Sequence, residues 1–134
     1  MCKDRDRIFT KTLLAVYCLL LVWIVLLKIG APADLRYLAC ERSINLVPFH
    51  YDVETGTHFG EVLLNVLVFI PFGLLLGTLG IRAWKAILLG SALSLAFEAL
   101  QYVLSIGASD VTDLIMNTAG TAIGGFLYLL LCRV

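Results

Sequence analysis

The sequence predicts an all-α membrane protein: four transmembrane helices in one compact bundle, with both termini in the cytoplasm. Three observations carry this. Hydrophobic residues fill 60% of the 134 positions and charged ones 15%, a balance too apolar for the surface that a soluble domain of this size exposes to water. Four apolar segments, 12–30, 62–80, 84–104 and 112–131, each approach the roughly 20 residues that cross a bilayer as a helix. The Lys and Arg residues are unevenly shared: Lys3, Arg5, Arg7, Lys11, Arg82, Lys85 and Arg133 fall at one end of such a bundle, and Lys28, Arg36 and Arg42 at the other. By the positive-inside bias the first set is cytoplasmic. The formal net charge is zero and no basic patch is visible, which excludes a nucleic-acid partner.

The first span, AVYCLLLVWIVLLKIG, carries no charge before Lys28 and is apolar on all faces, as suits a helix largely exposed to lipid. Ala31-Pro32-Ala33 has the form of a signal cleavage site, but the apolar run before it is longer than a signal core, so the reading keeps the span. An extracytoplasmic loop, 31–61, follows. Its INLVPFHYD stretch is apolar enough to lie on the membrane surface, a short interfacial helix is expected over 33–43, and Pro48 redirects the chain. Cys2 and Cys132 fall on the cytoplasmic side, Cys18 within a span and Cys40 outside, so no intrachain disulfide is expected. His50 and His58 with Glu54 or Glu61 have the chemistry of metal ligands, but Pro48, Gly56 and Gly60 interrupt the helix that would align them. No metal and no cofactor is expected.

The second span opens at Glu61 and carries Asn65 one turn deeper, on the same face. Pro71 removes one hydrogen bond from its ladder and predicts a packing bend, with a hinge as the alternative. Gly73 and Gly77 then give the small-xxx-small spacing that lets helices approach closely. A connection over 81–83 is short enough to make the second and third spans antiparallel neighbours.

The third span carries Glu98 and Gln101 near its outer end. Glu98 lies six residues before Leu104, about 9 Å inside that end at ~1.5 Å per residue. A carboxylate at that depth is expensive to show to lipid and should face the bundle interior or a polar cleft. The turn 105–111 contains Gly107, and Asp110 is placed to cap the fourth helix. Asp113, Asn117, Gly120 and Gly124 then fall along one stripe of that helix, polar above and small below.

These blocks resemble the VanZ-like membrane protein family, named for an accessory protein of teicoplanin resistance. The resemblance runs over 42–125 as RSINLVPF, then Glu61 and Asn65 leading into NVLVFIPFG, then SLAFEALQ with Ser94, Glu98 and Gln101, then SDVTDLIMNTAG with Asp110, Asp113, Asn117 and Gly120. It implies a multi-pass protein of the bacterial cytoplasmic membrane, linked to glycopeptide or lipoglycopeptide susceptibility; with no repeat, low-complexity segment or linker to divide the chain, 1–134 is expected to be a single domain of this kind. Family members commonly place an arginine shortly before the first aspartate, where this chain has Gly107-Ala108-Ser109.

Three functional classes follow. In the first, Arg42, Asn45, Glu61, Asn65, Glu98, Gln101, Asp113 and Asn117 line one outward-facing recess for a membrane lipid, a lipid-linked wall precursor or an amphiphilic glycopeptide. In the second, Glu98 or Asp113 is the general acid or base on a lipid-linked substrate, the two able to divide those roles, with Arg42 as electrostatic stabiliser, although no G-x-S-x-G or H-E-x-x-H motif is present. The third is transport, for which four spans would need an oligomer. Against all three stands a purely structural role, in which these side chains bond across helices and specify the bundle.

Overall fold

A computed structural model describes residues 2–26, 44–49, 58–105 and 109–132. Among the described residues there are four long helices: α1 (Cys2–Leu21), α2 (His58–Thr78), α3 (Ala83–Leu104) and α4 (Val111–Leu131). Each of the last three contains a stretch long and apolar enough to cross a bilayer, and α1 does so together with the residues that follow it, over Asp6–Val25. The chain is a multi-pass membrane protein.

Helix α1 begins ten residues before the span expected from residue 12, and its membrane-length apolar stretch starts at Asp6, because helical winding continues through the polar residues that precede an apolar run. It ends in a π-helical turn, Val22–Leu26, a wider winding that displaces the ladder by one residue. The interfacial segment expected over 33–43, and Arg42, His50 and Glu54, lie outside the described residues.

Helix α2 runs unbroken through Pro71. Proline leaves the Leu67 carbonyl without its helical donor, and at the next carbonyl the Tyr17 hydroxyl of α1 donates to Val68 at 2.6 Å. The end of α2 is a Schellman turn. Gly80 takes φ +78°, its N–H bonds the Gly77 carbonyl at 2.8 Å, and the Ile81 N–H bonds the Leu76 carbonyl at 3.1 Å. This reverses the chain directly into α3.

The helices pack through two unlike interfaces. Leu21 and Val25 join Phe69, Phe72 and Leu76 of α2 and Ala86 and Phe97 of α3 in an apolar core, with Phe69 and Phe72 edge to face at 5.9 Å. The buried face of α4 holds no large apolar side chain at all: it is Thr112, Asp113, Asn117, Gly120, Thr121, Gly124 and Gly125. Lipid solvates leucine as well as a protein core does, so in a membrane the informative inward face is small and polar. Ile115, Ile123, Phe126 and Leu131 point outward.

Close approach explains the glycines. A Cβ on Gly120 would strike the Val66 carbonyl, one on Gly124 the Ile70 carbonyl, and one on Gly73 the Thr121 carbonyl. Helices α2 and α4 thus meet backbone to backbone over two turns. Gly77 leaves room for the Tyr128 ring, and Gly90 of α3 plays the same part for the Thr121 side chain.

Before α4 the chain makes a small parallel pairing between β1 (Ile44–Asn45) and β2 (Ser109–Asp110), with Ile44 opposite Ser109 and Asn45 opposite Asp110. Two-residue strands have no periodicity from which to be read. This pairing brings the segment after the first span onto the start of α4.

Candidate functional site

The polar side chains gather where α2 begins, α3 ends and α4 begins, around Asp110. One Asp110 carboxylate oxygen accepts the Thr112 N–H at 2.7 Å, capping α4, and the other accepts the Asn45 amide at 3.2 Å. The Asp110 backbone N–H in turn donates to Glu98 Oε2 at 2.7 Å. Asp110 therefore ties β1, α3 and α4 at one point. Around it, Asn45 Oδ1 accepts the Val47 N–H at 3.1 Å, and Thr112 Oγ1 accepts the Phe49 N–H at 3.0 Å, holding the left-handed backbone at Phe49 (φ 59°).

Glu98 is 4% exposed, and its carboxylate lies against the first turn of α4, where the partial positive charge of the unpaired N–H groups favours an anion. Asp113, in that first turn, faces α2 and accepts the Asn65 amide at 2.6 Å. Glu61 is exposed in the first turn of α2.

Two further polar pairs lie apart from this group. Asn117 donates to Ser94 Oγ at 2.9 Å, and Gln101 donates to the Val25 carbonyl of the π-helical turn at 2.9 Å. Both amides are fully buried, and their oxygens have no hydrogen-bond partner among the described residues. Gln101 thereby anchors the first helix instead of meeting the carboxylates. A third contact, Ser91 to Thr118 at 3.0 Å, continues the α3–α4 seam inward.

Ser91, Thr112, Thr118 and Thr121 do not stand out in the sequence, and Ser94 does so only within a motif. The signal was present on α3, where Ser91, Ser94, Glu98 and Gln101 follow a 3-4-3 spacing that places all four on one helix face. Hydroxyls barely change hydropathy and so do not stand out in an apolar run.

A recess of about 100 Å³ opens beside Asp110. Asn45, Glu98, Ser109 and Asp110 supply its polar side; Ile44, Leu46, Leu95, Val111 and Leu114 supply the apolar side. Leu95 is 58% exposed on the outer face of α3, so the recess is continuous with the surface that meets lipid. Asp113, Asn65, Gln101 and Asn117 do not line it. Arg42 lies outside the described residues.

Residues 14–132 match the VanZ/LLP1 family. Over 126 residues the chain is 41% identical to Protein VanZ of Enterococcus faecium, covering 91% of this chain and 74% of that protein. The chain belongs to the VanZ/LLP1 family. The match begins within α1 at residue 14 and runs through α2, α3 and α4, so the VanZ/LLP1 region includes the latter part of α1 as well as the motif blocks from Arg42 onward. No solved structure gives a significant match.

Proposed function

We propose that this VanZ/LLP1 protein binds an amphiphile of the bacterial cell envelope in the recess beside Asp110. The occupant is a membrane lipid, a lipid-linked wall precursor or a glycopeptide antibiotic carrying an acyl chain. One observation carries the reading: a buried carboxylate, Glu98, and the polar edges of Asn45, Ser109 and Asp110 share a recess with apolar side chains continuous with the lipid-facing surface of α3. At ~30 Å³ per water, the recess accepts only a few non-hydrogen atoms, enough for a hydrogen-bonding group at the junction of head and chain. The rest of the ligand lies along the membrane surface, against the exposed Leu46, Val47 and Phe49.

The charge asymmetry of the sequence supports placing this end of the bundle outside the cytoplasm, where wall precursors and glycopeptides meet the membrane. Kinship with Protein VanZ supports a link to glycopeptide resistance. Of the Glu98 and Asp113 pair expected to divide acid and base roles, only Glu98 lines the recess, and the second carboxylate there, Asp110, is engaged by the Thr112 N–H and the Asn45 amide, which favours binding over acid–base catalysis.

The test pairs chemistry with phenotype. A photoreactive group placed at Leu95 should crosslink an envelope amphiphile, and Glu98→Gln should abolish the glycopeptide-susceptibility phenotype at unchanged membrane abundance. Parallel loss of phenotype and protein would assign Glu98 to the scaffold alone, and no amphiphile crosslinked at Leu95 would remove the binding site.

A further inference from the structure

A second crevice lies at the opposite end of the bundle, between the α2–α3 turn and the last two turns of α4. It has a volume of about 180 Å³, roughly six waters' worth at ~30 Å³ each. The space exists because Gly80, Ala86 and Gly125 stand where larger side chains would fill it, and a Cβ on Gly80 or Gly125 would meet no atom within 4 Å. Arg82 lines it and is exposed.

We propose that this crevice seats the phosphate end of an anionic membrane phospholipid, with Arg82 as the cation and the apolar wall at Leu129 receiving the start of an acyl chain. Charge complementarity selects this occupant. No acidic side chain lines the crevice, and Lys85, one turn along α3 and 5.4 Å from the Trp84 ring, reinforces the positive field of Arg82. The helix C-termini here do not oppose an anion strongly. The Leu76 and Gly77 carbonyls are closed by the Schellman turn, and the Tyr128 carbonyl by the Cys132 N–H.

Depth agrees with charge. The exposed Trp84 and the neighbouring Lys85 mark the headgroup level of the bilayer. The positive-inside bias assigns this end to the cytoplasmic leaflet, whose anionic lipids attract basic residues. The site is separate from the recess beside Asp110, and its test does not depend on that reading.

The full chain, reconstituted in vesicles of phosphatidylcholine and phosphatidylglycerol and gently extracted, is read by native mass spectrometry for retained lipid. Phosphatidylglycerol should be retained over phosphatidylcholine by about fivefold, the scale of one basic contact at a membrane surface. Arg82→Gln should erase the preference and Arg82→Lys should keep most of it. Gly125→Leu, which fills the crevice without touching Arg82, should lower phosphatidylglycerol retention to the phosphatidylcholine level; Gly125→Val serves the same purpose if the leucine variant does not accumulate. Equal retention of the two lipids by the unaltered chain overturns the proposal. Loss in Arg82→Gln with full retention in the crevice-filled variant overturns it in favour of diffuse surface charge. Displacement of the lipid by millimolar inorganic phosphate overturns it in favour of a water-facing anion site.

Discussion

Glu98 of α3 accepts the backbone N–H of Asp110 at 2.7 Å, so a carboxylate buried in one helix closes the turn that begins the next. The bond separates the two properties of the side chain. Glu98→Gln retains an oxygen that can accept the same N–H, whereas Glu98→Ala leaves that donor buried beside an empty volume. We expect the alanine variant to lose about 1–3 kcal/mol of stability and the glutamine variant much less, measured by reversible unfolding in mixed micelles. Equal losses would show that the charge, and not the hydrogen bond, stabilises the turn.

Asp110 caps α4 through the Thr112 N–H and also receives the Asn45 amide. Asn at this position offers one oxygen for the cap and keeps the helix start, while Ala removes the cap and should cost about 1 kcal/mol. The alanine variant should also release the segment containing Ile44 and Asn45. Hydrogen exchange at Val47 and Phe49 will rise in Asp110→Ala if the β1–β2 pairing depends on this side chain.

The Asn65 to Asp113 bond at 2.6 Å links α2 to α4 within the buried region. A double-mutant cycle of Asn65→Leu and Asp113→Leu should give a coupling energy of about 0.6–2 kcal/mol, the range for polar pairs in membrane helices. Strictly additive losses would mean that each residue acts through other partners.

Glycine substitutions sort by what the new methyl meets. Gly120→Ala and Gly124→Ala press carbon onto the carbonyls of Val66 and Ile70 and should each cost about 1–3 kcal/mol, because two backbones must part. Gly125→Ala, adjacent in sequence but facing open space, should remain within about 0.5 kcal/mol of the parent. The three variants unfolded side by side give the comparison.

Tyr17 and Gln101 are polar ties between the first span and the rest: the Tyr17 hydroxyl donates to the Val68 carbonyl, and the Gln101 amide donates to the Val25 carbonyl. Tyr17→Phe removes only a hydroxyl and should cost about 0.6–1.7 kcal/mol. Combined with Gln101→Leu it should loosen α1, read as slower disulfide crosslinking between cysteines introduced at Leu14 and Val68.

The positions of the four spans were legible because length and hydropathy suffice to mark a helix in a membrane. Individual polar residues were conspicuous for the same reason: Glu98 and Asn117 interrupt apolar runs and had to face inward. Which of them meet was not legible. Helix periodicity assigns a face but not the neighbour opposite it, so Asn117 reaching Ser94 and Gln101 reaching a backbone carbonyl depend on how the helices are rotated against one another. The β1–β2 pairing and the π-helical turn carry no pattern of their own, since each is too short for one.

The backbone crossing of α2 and α4 also constrains the order of biosynthesis. Asn65 and Asp113 are 48 residues apart, and the span between them is α3, which leaves the ribosome and enters the membrane first. Until α4 follows, the glycine seam of α2 has nothing to close on, and Asn65 sits in the bilayer without the carboxylate it later binds. Assembly of this bundle therefore waits on α4: a chain halted before residue 111 leaves the polar and glycine-lined flank of α2 open.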